Sequence, residues 1–335
     1  MSARPSEAVR HLRELNVSND VLFGVFPFVG HNDLGLKVAP LSVRFDALVD
    51  KYFVDANWSL GAIEIGRAAN GNGMAIQKRG GQIVPTPDSP LPSHIIGFRH
   101  ILIRYIDYNV IAFLHRIERL FGAGIALRVD CSERSSSGWP ALVEQILPFV
   151  ACMQLNKYLL DSLHLFVSDT VLLDCVDLRV IDYRYDADEF LGQALVEWLQ
   201  IPRADRRPKL LKYLSSARQT IIDIDLFKQA FINNTSSPVS YIVRLEAKLV
   251  DVDPFEMENQ QTRELFTLRR VYNDLWFLER GPICQREVQC WDTDLLALKC
   301  NLFGGRQGMI NIAIYDDDDI GPLSAHAEAV EMDEE

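Results

Sequence analysis

The chain offers few constellations that could do chemistry. No GxSxG nucleophile elbow, HExxH zinc pair or phosphate-binding P-loop occurs in it. The seven histidines, at positions 11, 31, 94, 100, 115, 164 and 326, show no metal-ligand spacing, and each reads as a surface or satisfied interior residue. Cys284, Cys290 and Cys300 are the densest thiol group, but zinc ligands come in tight pairs and these do not. Asp107, Asp130 and Asp182 follow apolar strand-like runs, a position that hosts active sites in parallel sheets and more commonly caps helices. Gly71-x-Gly73 lacks the third glycine and the helix of a dinucleotide fingerprint and reads as a hairpin turn. The sequence therefore predicts no catalysis, no metal and no cofactor. What remains is recognition: Tyr105, Tyr183, Tyr185 and Tyr213 stand at or near strand positions with Arg104, Arg128 and Arg184. Tyrosine and arginine concentrate in binding hot spots. If these side chains share one sheet face, Tyr105, Arg128, Tyr183 and Tyr213 form a target-binding surface; the alternative is that half of them point into the core.

Bulk properties narrow the classes further. Of 335 residues 48% are hydrophobic, enough for a sizeable core. No apolar run reaches the roughly 18 residues of a membrane span, and Met1 to Asn16 lacks the apolar core of a secretory signal. The six cysteines are dispersed and form no CxxC pair, so they read as reduced thiols of the cytoplasm or nucleus. The sequons at Asn57 and Asn233 then read as chance matches. The net charge is -12, but nine acidic residues and no Lys or Arg lie between Asp316 and Glu335, leaving about -3 for the rest. A near-neutral body argues against a broad nucleic-acid-binding surface.

The elements that must position these residues follow from periodicity. Residues 1–16 read as a leader. Ser18 can cap a helix carrying Val21, Leu22, Val25 and Phe26, which Pro27 should kink or end. Asn32-Asp33 offers a second cap, and a third helix carries Leu41, Phe45, Leu48 and Val49. Three helices this short cannot bury all these side chains among themselves. From Ile101 onward strands and helices alternate, which predicts a parallel sheet with crossovers. Strands are expected at 101–106, 125–129, 163–167, 178–183, 210–214 and 241–247. Helices are expected at 110–120, 137–149, 191–199 and 226–231. The irregular spacing predicts an α/β leucine-rich-repeat-like array over 57–253. Antiparallel strands over 255–271 and 275–280, an amphipathic helix over 284–300 and an edge or closing strand over 309–315 form a C-terminal β cap over 254–315. The tail, 316–335, reads as disordered and solvated.

Two sets of residues carry a family resemblance. Val17-Ser18-x-Asp20-Val21-Leu22-x-x-Val25-Phe26-x-x-Val29-x-x-x-Asp33-Leu34, followed by Leu41-Ser42-x-Arg44-Phe45, resembles the F-box over residues 17–56. Ser18 stands where that family has proline, and Pro27 and Pro40 fall inside its expected helices. Trp198-Leu199-x-x-Pro202-Arg203, Pro238-Val239-x-Tyr241-Ile242-Val243-x-Leu245 and Pro254-Phe255-Glu256 with Leu268-Arg269-Arg270 resemble F-box proteins of plant-parasitic nematodes. The resemblance implies a three-helix F-box with an associated α/β domain, acting as the substrate-recognition adaptor of an SCF-type ubiquitin ligase. It implies docking on a Skp1-like subunit of a cullin–RING ligase through Leu22, Val25, Phe26, Val29, Leu34 and Leu41. The rival expectation is an interaction module with a degenerate F-box and no ligase role.

Overall fold

The computed structural model describes residues 17–30, 33–55, 58–71, 73–78, 81–84, 91, 95–122, 124–131, 139–185, 193–215, 224–234, 237–249, 252–272, 274–282 and 308–323. The chain divides into two compact units, Met1–Trp58 with Pro92–Ile96, and Ser59–Leu91 with Gly97–Glu335. The expected boundary at 253 is no division, because the strands after it hydrogen-bond into the same sheet as those before it.

The first unit is helical. The Ser18 hydroxyl accepts from the Val21 N–H at the start of α1 (Asn19–Val25), as its type predicts. Pro27 ends α1, and Phe26–Phe28 tightens into a 3-10 turn. Leu34–Val38 is a π-helical turn, Pro40 lies in a second 3-10 turn (Ala39–Leu41), and α2 runs from Val43 to Asp55. Asp33 is the N-cap residue of the π turn, makes no side-chain cap hydrogen bond, and instead pairs with Lys37 at 2.6 Å.

The second unit is mixed α/β, built on a 13-stranded sheet. Its parallel strands are β1 (Ala62–Arg67), β4 (His100–Ile103), β5 (Ile125–Cys131), β6 (Val150–Asn156), β7 (Val180–Tyr185), β8 (Lys209–Ser215), β9 (Tyr241–Glu246) and β13 (Gly308–Ile314). Two short strands, β2 (Met74–Lys78) and β3 (Ile83–Val84), add antiparallel beside β1. At the other end β10 (Phe255–Asn259), β11 (Glu264–Tyr272) and β12 (Leu275–Pro282) add antiparallel beside β9. From β5 to β9 each strand lies beside its predecessor. The crossovers carry helices Trp139–Ile146, Lys157–Phe166 with Val171–Asp174, Gln193–Gln200 and Ile224–Ile232. Crossovers that advance in one direction with one hand lay their helices on one face.

Burial alternates along the strands accordingly. Ile101, Ile310, Leu127, Ile181, Leu211 and Val243 are fully buried across neighbouring strands, on the helix-covered face. Phe227 packs edge-on against Tyr241 at 6.5 Å there. On the other face Arg128, Gln154, Lys212 and Arg244 are exposed or half-buried, while Ala126, Cys152, Val180, Leu210 and Ile242 are buried.

Three expectations need correction. The run 163–167 is not a strand: it closes helix Lys157–Phe166, which Asn156 caps by accepting from the Leu159 N–H at 2.8 Å. A five-residue apolar run does not distinguish strand from buried helix, and Leu159, Leu160 and Leu163 supply the helical face. The strand predicted at 309–315 lies neither at an edge nor in a cap. β13 sits inside the parallel sheet, with Met309 opposite both His100 and Ala126. A half-covered strand alternates wherever it stands, so alternation could not place it. The third concerns the tail: residues 316–323 are ordered, with the Ile106 N–H donating to the Asp319 carbonyl and the Gly321 N–H to the Ile106 carbonyl. The leader, the helix predicted at 284–300 and residues 324–335 lie outside the described residues.

Candidate partner-docking surfaces

The interior of the helical unit is made by Phe26, Leu34, Ala39, Leu48 and Val49, with Leu22, Phe23, Val29, Val38, Tyr52 and Phe53 packed against them. Phe26 meets Phe23 and Tyr52 edge-on at 5.9 and 5.4 Å. Arg44 ties the start of α1 to α2, donating to the Asn19 side chain at 2.8 Å and to the Val17 carbonyl at 2.5 Å.

The six residues expected to face a partner therefore separate. Val25 and Leu41 are exposed, at 48% and 68%. Leu22 and Val29 are half-buried against the interior. Phe26 and Leu34 are buried and hold the unit together, so they are corrected from docking residues to core. On α1 residues 22, 23 and 26 turn inward while Val21 and Val25, one turn apart, turn outward. The sequence pattern does not separate these two stripes. Phe28, Leu36, Val43 and Val54, outside the expected docking set, are exposed at 69–88%. Among the described residues, eight of the 21 exposed large hydrophobics lie between Val17 and Val54. That density is higher than over the rest of the described residues.

The open face of the large sheet is the second candidate. Tyr183 and Tyr213 are corrected: both are buried on the opposite, helix-covered face, stacked at 5.9 Å. Tyr105 is buried too, under Gly321, where an added Cβ would fall 2.1 Å from the phenolic oxygen. Of the four residues expected to bind a target, Arg128 alone reaches the open face. The structure gives it Asp130 as a partner at 2.8 Å. The same pattern recurs along the face: Arg104 with Glu64 at 2.9 Å, Arg184 with Asp182 at 3.5 Å, Arg244 with Glu246 at 2.7 Å and Arg269 with Glu279 at 2.5 Å. Beside this charged band runs a buried apolar row, Ala126, Cys152, Val180, Leu210, Ile242 and Phe277, with the partly buried Met309 and Leu275 packed on it; these side chains are not open to a partner.

Among the described residues no three His, Cys, Asp or Glu side chains converge on a possible metal position. Asp107 caps helix Tyr108–Ile117, accepting from the Val110 N–H at 2.9 Å, while Asp130 and Asp182 serve the ion pairs above. Burial pushes the thiols of Cys152 and Cys175 up to about 12, so both stay protonated and unreactive. Cys284, Cys290 and Cys300 lie outside the described residues. No described helix is long and apolar enough to cross a membrane. Comparison with family models, curated proteins and solved structures finds no match to this chain.

Proposed function

We propose that the chain is a two-ended adaptor. Residues 17–56 act as an F-box that docks on a Skp1-like subunit of a cullin–RING ubiquitin ligase. The α/β unit, a leucine-rich-repeat-like array of successive strands and crossovers, holds a target protein on its open face. The observation that carries this reading is the apolar surface of the helical unit. Its interior is already filled by Phe26, Leu34, Leu48 and Val49, yet Val21, Val25, Phe28, Leu36, Leu41 and Val43 stay in water. Burial of such side chains against a partner contributes about 25 cal/mol per Å² of apolar area. Holding target and transferase on one scaffold raises their effective concentration, so the adaptor needs no reacting group of its own.

The docking residues for the test are the exposed ones. Val25→Glu with Leu41→Glu is expected to abolish co-elution with a purified Skp1-like protein while the far-ultraviolet circular dichroism is unchanged. Co-elution retained by the folded double variant sinks the F-box reading. Failure of the unmodified chain to co-elute selects the rival, an interaction module whose F-box has lapsed; the interruptions at Pro27 and Pro40 are what favour that rival.

A further inference from the structure

The large sheet ends on one side in β10, Phe255–Asn259. All five residues pair with β11 in unbroken antiparallel register, from Phe255 opposite Leu268 to Asn259 opposite Glu264. Every second residue of such a strand turns its N–H and C=O away from its one neighbour. Among the described residues, the backbone groups of Phe255–Glu258 bond to nothing outside that ladder. No proline, lysine or bulge, devices that commonly blunt an edge, interrupts the strand. The opposite edge, β3, is two residues long and offers little ladder to a partner.

The two sides of this edge differ. Phe255, Met257 and Asn259 share the covered face with Leu268, Phe266 and Glu264, beside helix Ile224–Ile232. Phe255 meets the Phe266 ring at 5.2 Å, and the Lys228 ammonium lies 4.8 Å over Phe255. The Asn259 amide donates to the Phe231 and Asn234 carbonyls at 3.0 and 3.1 Å. The strand is thereby held in place, while Phe255 and Met257 stay half-buried. Glu256 and Glu258 lie on the other face and are exposed. Among the described residues neither forms an ion pair or a side-chain hydrogen bond.

We infer that β10 is a docking edge for an extended basic segment of another protein, which adds to the sheet as a further strand. Main-chain bonds to the outward groups hold such a strand, and its alternate side chains select it. Lysine or arginine at every second position lies beside Glu256 and Glu258, where opposite charges on neighbouring strands stabilise the pairing. Apolar residues between them lie beside Phe255 and Met257. A second copy of this chain fits poorly: two β10 edges side by side set glutamates against glutamates, and like charges there destabilise. The acids that deter self-pairing thus admit a basic strand. Such docking needs the α/β unit alone, so its failure leaves capture of a Skp1-like protein by the helical unit untouched.

The test is a fluorescence-anisotropy titration of short labelled peptides with the full-length chain. One peptide alternates lysine and valine, its twin is methylated at every backbone amide, and a third has glutamate for lysine. The first is expected to bind, more weakly as salt rises, and the other two are not. Glu256→Lys with Glu258→Lys is expected to weaken the lysine peptide at least about tenfold and to bind the glutamate peptide instead, at an unchanged melting temperature. No binding of the lysine peptide by the unmodified chain overturns the inference. So does equal binding of the methylated twin, which leaves attraction between charges without a ladder. Undiminished binding of the lysine peptide by the folded double variant overturns it too. Sedimentation of the unmodified chain as a dimer that the lysine peptide dissociates gives the edge to a second copy, and overturns it as well.

Discussion

The two faces of the large sheet place the same charge chemistry in opposite settings. On the open face Arg128 and Asp130 meet with their side chains 44% and 34% exposed. On the covered face Arg280 and Glu264 meet with nothing exposed. The Arg128–Asp130 pair keeps much of its hydration, so it adds little stability. The covered pair has lost its water and is sustained by other bonds. Glu264 accepts from the Val239 N–H at 2.6 Å and from the Thr262 hydroxyl at 2.5 Å, and Arg280 donates to Gln200 at 2.7 Å and stacks on Phe231 at 5.1 Å. These contacts join β11 and β12 to the segment leading into β9 and to helices Gln193–Gln200 and Ile224–Ile232. A buried pair with every atom engaged costs most when one member is removed.

Substitutions can break or sharpen this contrast. The largest loss is expected from Glu264→Ala, about 3–5 kcal/mol, because Arg280 is left charged in the interior; urea unfolding measures it. A loss under 1 kcal/mol would mean that the covered pair is no stronger than an open one. Tyr213→Ala comes next, at about 3 kcal/mol, from the lost ring volume and the lost stack on Tyr183.

Lys209 tests the same face by pH. It is 4% exposed, donates to the Trp198 carbonyl and lies over the indole ring at 4.8 Å. Burial first, then Arg203, bring its pKa down from 10.5 to about 7. A depressed value means that the unfolded chain holds the proton more tightly. Stability is therefore expected to rise between about pH 7 and pH 10, and to be lost again as pH falls back through 7. The amplitude is moderated because a lysine can swing its ammonium toward water. Lys209→Met should flatten that slope, as thermal melts at both ends of the window would register. The smallest effect is expected from Arg128→Ala, within about 1 kcal/mol in the same urea assay. A large destabilisation there would remove the distinction between the faces.

Much of this was legible in the residues. Ser18 as a cap, Pro27 as a stop and the apolar runs near 101, 125, 178, 210 and 241 follow from local chemistry alone, and the structure has them. The failures have a common cause: direction is not a property of residue type. Tyr183 and Arg184 are adjacent in a strand, so period-two alternation already forbids them from sharing a face. That signal was present and would have moved Tyr183 and Tyr213 inward. The same holds for α1, where 22 and 26 form one stripe and 21 and 25 another. The central place of β13 had no such signal, because it depends on pairing with strands far away in sequence.

That placement bears on how the chain comes into being. β4 and β5 leave the ribosome well before Gly308–Ile314, the strand that belongs between them. Until Gly308–Ile314 arrives, His100–Ile103 and Ile125–Cys131 each lack the ladder partner that the finished protein gives them, and unpaired strand edges invite pairing with foreign chains. The long sequence separation of these partners makes their closure slow. A nascent chain stopped short of Gly308 should therefore aggregate rather than fold, and β13 acts as the keystone of the sheet.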